Sequence, residues 1–248
     1  MESTGLRGLS KIQILDYSEC KNGFVASTKL HLDQKYFGEG ADLIKLNNHK
    51  QYVFQLTWKH KVMLVYYFDG KTFTQVATLK MPKQIEQGWG MTHNILNNEI
   101  YVTDGSTMIF TCKMEVTLDL KHDVILEAKG ENEDFKFTCD KGREVSWDNL
   151  GVTHNIHRLN ELEYHEGFLY LNQYLTDNIY KLDIANWTVV KKYDMSYLAS
   201  DVNRYTKREF GRYLKNGECM NGITYNFDKK VFMLTGKHWP IIYEIKWE

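Results

Sequence analysis

The sequence predicts an all-β chain folded as a five-bladed β-propeller with a central channel, and three observations predict it. Strand-like segments ending in threonine recur five times, at Thr4, Thr57, Thr103, Thr176 and Thr235, spaced by roughly one propeller blade. Each is accompanied by β-branched and aromatic runs of strand length. No apolar stripe of period 3.6 competes with this period-two patterning.

In chain order, the first repeat reads as strands at residues 2–5, 11–16 and 23–28. The second opens on a Gly- and Glu-rich segment at 37–40 and continues with strands at 52–57, 63–68 and 73–78. The third opens at 88–92 and continues at 100–105; the fourth runs 159–164, 169–177, 179–183 and 187–190; the fifth runs 220–225, 231–236 and 241–245. The segments at 37–40, 88–92, 159–164 and 220–225 read as the innermost strands, because small residues suit an axis where several backbones converge. Between the third and fourth repeats, residues from about Lys121 to His157, including the polar run 130–134, read as a surface excursion.

Residues 1–248 read as a single domain, since only Pro82 and Pro240 occur and no Gly-, Ser- or Pro-rich linker divides the chain. The repeat count opens on the second strand of the first blade and closes after the third strand of the last. The expectation is a propeller lacking its N-terminal closing strand and first inner strand, with the natural protein beginning upstream of Met1.

The 31 basic and 32 acidic residues nearly cancel, which disfavours a nucleic-acid partner. No run of about 18 apolar residues proposes a membrane-inserting helix, and a monomer is expected. Cys20, Cys112, Cys139 and Cys219 lack close pairing. They read as buried thiols, with a Cys112–Cys139 disulfide as the rival.

Eight motifs on these strands resemble one family. They are residues 2–6, 37–40, 56–58, 88–90, 104–106, 159–163, 221–223 and 235–240, the last running Thr235, Gly236, Lys237, His238, Trp239, Pro240. Together, and in this order, they are similar to the plant and bacterial type of glutaminyl-peptide cyclotransferase over nearly the whole chain. The resemblance implies conversion of an N-terminal glutamine to pyroglutamate with release of ammonia, on peptide or protein N-termini. It implies a pocket at the channel mouth holding Phe37, Glu39, Trp58, Trp89, Asn160 and Lys237, with Tyr174 where many relatives have tryptophan. It also implies an inner strand carrying Phe-Thr-Gln-Gly-Leu before Met1, and a secreted or periplasmic location, although the chain shows no signal peptide.

The residue types suit that chemistry. Glu39, flanked by glycines, is the expected general acid/base. Lys237 and Asn160 offer donors to the oxygen that becomes negative, and Phe37, Trp58, Trp89 and Tyr174 supply a wall that excludes water and curls the substrate. The scheme calls for no metal and no cofactor; His154 and His157 lie in the surface excursion. Read without the resemblance, the tryptophans suit a core and Glu39 a turn. Glu161 and Glu163 share a strand face and read either as structural hydrogen-bonders or as second-rank site candidates, Asp104, Asp177 and Asp183 read as turn caps, and residues 186–188 as a weak glycosylation triplet. The alternative function is an inactive propeller that binds peptide N-termini or a partner protein.

Overall fold

The computed structural model describes residues 1–16, 25–46, 49–116 and 135–247; the run 130–134 lies outside them. The chain takes the expected all-β fold, a five-bladed β-propeller. The first blade holds β1 (Glu2–Thr4), β2 (Lys11–Asp16) and β3 (Val25–His31), and the second holds β4 (Gly38–Lys45), β5 (Gln51–Thr57), β6 (Val62–Phe68) and β7 (Phe73–Lys80). The third holds β8 (Met91–His93), β9 (Ile100–Thr103), β10 (Met108–Val116) and β11 (Phe135–Cys139), with β12 (Arg143–Glu144) also paired to β10. A hairpin of β13 (Ser146–Asn149) and β14 (Val152–Asn155) follows. The fourth blade is β15 (Leu159–His165), β16 (Phe168–Gln173), β17 (Asn178–Asp183) and β18 (Thr188–Asp194); the fifth, after a helix, is β19 (Met220–Asn226), β20 (Val231–Gly236) and β21 (Tyr243–Ile245).

Two compact units divide the chain: residues 1–102 with 110–142, and residues 103–109 with 143–248. In the first, Ile12, Leu32, Val53, Leu64, Tyr66 and Phe73 form a buried cluster shared by the first two blades. The run Tyr52–Thr57 is buried on both faces, so its side chains pack continuously instead of alternating with water, as befits a strand sandwiched between neighbours. In the second unit, Tyr170, Ile179, Met220, Ile223, Phe232 and Leu234 form the equivalent core.

Three expectations change. Residues 135–155, expected as surface excursion, build β11, β12 and the β13–β14 hairpin. Cys112 and Cys139 stand opposite each other in the β10–β11 register and form a disulfide, so buried thiols are corrected there; closing that loop, 27 residues in sequence separation, is worth about 3–4 kcal/mol against the unfolded chain.

The third change is a helix, α1 (Ser196–Phe210), in a chain read as free of helical periodicity. Its buried stripe is only Leu198, Val202 and Thr206, too narrow to stand out among charged residues, and it gains its stability from packing on Met195, Met220 and Trp239. Asp194 Oδ1 accepts the Ser196 N–H at 2.9 Å, and Gly211 ends the helix in the left-handed region, φ 68°, with its N–H on the Lys207 carbonyl.

Candidate functional site

In the first unit, the innermost strand β4 carries a one-residue insertion. Gly38 pairs with Thr57 and Ala41 with Gln55, so three steps along β4 oppose two along β5. Glu39 and Gly40 occupy the bulge, a device that re-aims a side chain out of the regular pleat. Glycine is needed at position 40: its N–H donates to the Trp89 carbonyl at 2.7 Å, and a Cβ there would lie 2.7 Å from that oxygen and 2.8 Å from Gly90 Cα and Met91 N.

A buried chain of hydrogen bonds supports the same bulge from behind. Tyr66 Oη donates to Gln55 Oε1 at 3.2 Å, Gln55 Nε2 donates to Ser3 Oγ at 2.7 Å, and Ser3 Oγ donates to the Glu39 carbonyl. Gln55 and Tyr66 are fully buried, and that burial pushes the Tyr66 phenol far above its ordinary range. The chain fixes the backbone of Glu39 and leaves its half-buried carboxylate on a rigid support.

The aromatic residues expected in this unit meet. Phe37 and Trp58 rings lie 5.7 Å apart at 59°, and the Trp58 N–H donates to the Phe37 carbonyl at 3.1 Å. Gln87 Oε1 accepts both indole N–H groups, from Trp58 at 2.6 Å and from Trp89 at 3.0 Å. One amide therefore orients both tryptophans. Sequence reasoning passed over Gln87, which lies at a bend before β8 and carries no motif of its own. Lys59 Nζ stands 4.1 Å from the Trp58 ring centroid, which adds positive charge at that wall.

The second unit repeats the bulge twice. On β15, Leu159 pairs with Gln173 and Leu162 with Leu171; on β19, Met220 pairs with Gly236 and Ile223 with Leu234. The first bulged residue is Asn160 in one and Asn221 in the other, the position Glu39 holds on β4. Thr103 Oγ1 donates to the Asn160 carbonyl at 2.8 Å. Asn160 is 2% exposed, and its Oδ1 is buried with no hydrogen-bond partner in the protein.

Tyr174 follows β16, with its N–H on the Arg158 carbonyl at 2.9 Å. Lys237 Nζ lies 4.9 Å from its ring centroid, so these two expected residues are brought together. The Lys237 N–H donates to the Cys219 carbonyl at 2.9 Å. Burial pushes the Cys219 thiol upward, opposed by the Lys237 charge. Glu163 accepts the Tyr225 N–H at 3.0 Å. Phe37, Glu39, Trp58 and Trp89 thus belong to the first unit, and Asn160, Tyr174 and Lys237 to the second. His154 and His157 are both exposed, and among the described residues no three His, Cys, Asp or Glu side chains gather as metal ligands do.

Comparison with known proteins bears on what these units are. A family model described as glutamine cyclotransferase matches residues 1–134 and 142–247. A curated glutaminyl-peptide cyclotransferase from Arabidopsis thaliana is 24% identical over 99% of this chain, which spans 62% of that relative's length. The crystal structure of a glutaminyl cyclase from Myxococcus xanthus superposes with a TM-score of 0.69 at 20% identity, covering 98% of this chain and 84% of that one.

Proposed function

The chain belongs to the glutamine cyclotransferase family, and from that premise we propose that it closes the N-terminal glutamine of peptides or proteins into pyroglutamate, releasing ammonia. The observation that carries the reading is the family match over nearly the whole chain, with Glu39 set on a bulge beside an ordered aromatic wall.

In this scheme the substrate's α-amine attacks its own side-chain carboxamide carbon. The new C–N bond makes a five-membered ring and leaves a tetrahedral centre bearing a negative oxygen. Glu39 takes a proton from the attacking nitrogen and returns it to the departing one, so the C–NH2 bond breaks with loss of neutral ammonia, and no step is routed through a metal or cofactor. Such proton transfer by a placed carboxylate contributes roughly 10²- to 10⁴-fold.

Lys237 and Asn160 are assigned to the developing oxyanion, where one well-aimed donor contributes about 3–4 kcal/mol. The contact of Lys237 with the Tyr174 ring supports a fixed ammonium. Phe37, Trp58, Trp89 and Tyr174 exclude water and hold the glutamine side chain curled toward its amine, so that closure costs little further entropy. The reaction is an acyl transfer from one nitrogen to another within the substrate.

The test is ammonia release from a glutaminyl dipeptide by the purified chain, with spontaneous cyclisation subtracted, beside Glu39→Gln. The expected result is release that falls by roughly 10²-fold or more in the variant. Full activity in Glu39→Gln overturns the assigned chemistry, and saturable dipeptide binding without ammonia release supports an inactive binding propeller instead.

A further inference from the structure

The three matched bulges single out a residue that the family resemblance did not bring into the pocket. Position one of the bulge is Glu39 on β4, Asn160 on β15 and Asn221 on β19. Two of these are already assigned to substrate. A β-bulge re-aims its first side chain out of the regular pleat, and Asn221 holds on β19 the register position that Asn160 holds on β15.

Asn221 shares a second property with Asn160. Among the described residues, four buried side-chain polar atoms have no hydrogen-bond partner in the protein: Asn160 Oδ1, Asn172 Nδ2, Asn221 Oδ1 and Trp187 Nε1. Three of the four sit on β15, β16 and β19. Unpaired buried groups are costly and native proteins keep few of them, so their concentration on the adjoining strands β15, β16 and β19 marks a place where another molecule completes the pairing.

The local backbone holds Asn221 in place. The Gly222 N–H donates to Asn172 Oδ1 at 3.3 Å, which ties the second residue of the β19 bulge to the neighbouring blade and leaves Asn172 Nδ2 as its unpaired donor. Gly222 itself has φ 140°, and a Cβ there would lie 2.8 Å from Thr235 Cγ2, so the bulge closes tightly on β20. Across that pairing, Met220 stands opposite Gly236, the residue before Lys237. Asn221 therefore lies beside the stretch that carries the candidate oxyanion donor.

We infer that Asn221 is a further substrate-binding residue, whose amide oxygen accepts an N–H of the glutamine carboxamide and helps to choose glutamine over glutamate. The inference rests on the proposed reaction. A primary carboxamide offers two N–H donors where a glutamate side chain offers only oxygens, so the acceptors Asn160 Oδ1 and Asn221 Oδ1 suit the first and leave the second unpaired and repelled.

The experiment compares Asn221→Ala and Asn221→Asp with the unaltered chain in three readouts: KM and kcat for a glutaminyl dipeptide, inhibition by the matching glutamyl dipeptide, and Tm. Asn221→Ala is expected to raise KM by about 10- to 100-fold with kcat within a few-fold, to bind the glutamyl dipeptide no worse, and to leave Tm unchanged or higher, because it removes an unpaired buried atom. Asn221→Asp keeps an oxygen of the same shape and is expected to hold KM within about fivefold. An unchanged KM in Asn221→Ala, or a lowered Tm with KM unchanged, overturns the inference. If the unaltered chain releases no ammonia, the reaction assigned above fails; calorimetric binding of the two dipeptides then decides Asn221 alone, and loss of the glutaminyl preference in Asn221→Ala still supports it.

Discussion

Replacing Gly40 with alanine should damage stability and activity together, because it drives a methyl group into backbone. The added Cβ would sit 2.7 Å from the Trp89 carbonyl oxygen and 2.8 Å from both Gly90 Cα and Met91 N. Ordinary contact begins near 3.4 Å, so β4 and the segment entering β8 must separate by about 0.7 Å (3.4 minus 2.7). None of the three obstacles is a side chain that can swing away. Overpacking of this kind costs about 1–3 kcal/mol, and stretching the 2.7 Å bond from the Gly40 N–H to the Trp89 carbonyl removes about 1 kcal/mol more. At about 2–4 °C of Tm per kcal/mol for a chain of this size, melting should fall by at least about 4 °C. The displaced groups are the bulge that carries Glu39 and the backbone of Trp89, and misplacement of this order costs roughly 10²-fold in rate. Differential scanning fluorimetry and ammonia release from a glutaminyl dipeptide measure the two effects. Gly70→Ala is the control: Gly70 has φ 93° with nothing within 4 Å of the added Cβ, so it should lower Tm through backbone strain while leaving kcat/KM unchanged. Melting within about 1 °C and kcat/KM within about twofold in Gly40→Ala would refute the reasoning.

Two further outcomes follow from the same structure. Ser3→Ala removes the hydroxyl between Gln55 and the Glu39 carbonyl; the fully buried Gln55 amide loses its acceptor at a cost of about 1–3 kcal/mol, kcat should fall with KM nearly steady, and Ser3→Thr should restore kcat, whereas a kcat equal to that of the unaltered chain would remove this support from Glu39. His165 stacks on Tyr225 at 3.7 Å, and burial lowers its pKa, with Glu166 raising it and Lys181 lowering it; a histidine depressed on folding contributes stability above the unfolded value near 6.5 and loses it as pH falls, so the drop in Tm from pH 8 to pH 5 should shrink in His165→Gln, and an equal drop in both proteins would count against it.

The parts of this fold legible in the sequence were those where period-two patterning and burial agree. The run from Val62 to Phe68 and that from Val231 to Gly236 are strands within a residue of expectation, because β-branched and aromatic side chains pack on both faces. Asp104 and Asp183 cap turns as read, accepting from Ser106 and Ala185. The helix α1 escaped because its stripe of three residues depends on surfaces supplied by β19 and Trp239, which no local window contains. The Cys112–Cys139 bond was open for the same reason, since only the β10–β11 register sets the two residues opposite each other.

The candidate site divides along the same line. The family motifs pointed to Glu39, Asn160, Lys237 and the aromatic residues, but the bulges that carry Glu39 and Asn160 and the amide that orients Trp58 and Trp89 are invisible to composition. A one-residue bulge leaves the spacing of apolar residues along β4 almost unaltered, yet it reverses which face the next side chain meets. Gln87 has no motif of its own and earns a role only because two indoles converge on its oxygen. The bulge recurs on β4, β15 and β19 with the same three-against-two register. Register shifts also recur on the outer pairs β2–β3, β6–β7 and β17–β18, so repetition belongs to the blade as a unit, and what distinguishes the inner strands is the side chain at the first bulged position, a carboxylate on β4 and an amide on β15 and β19.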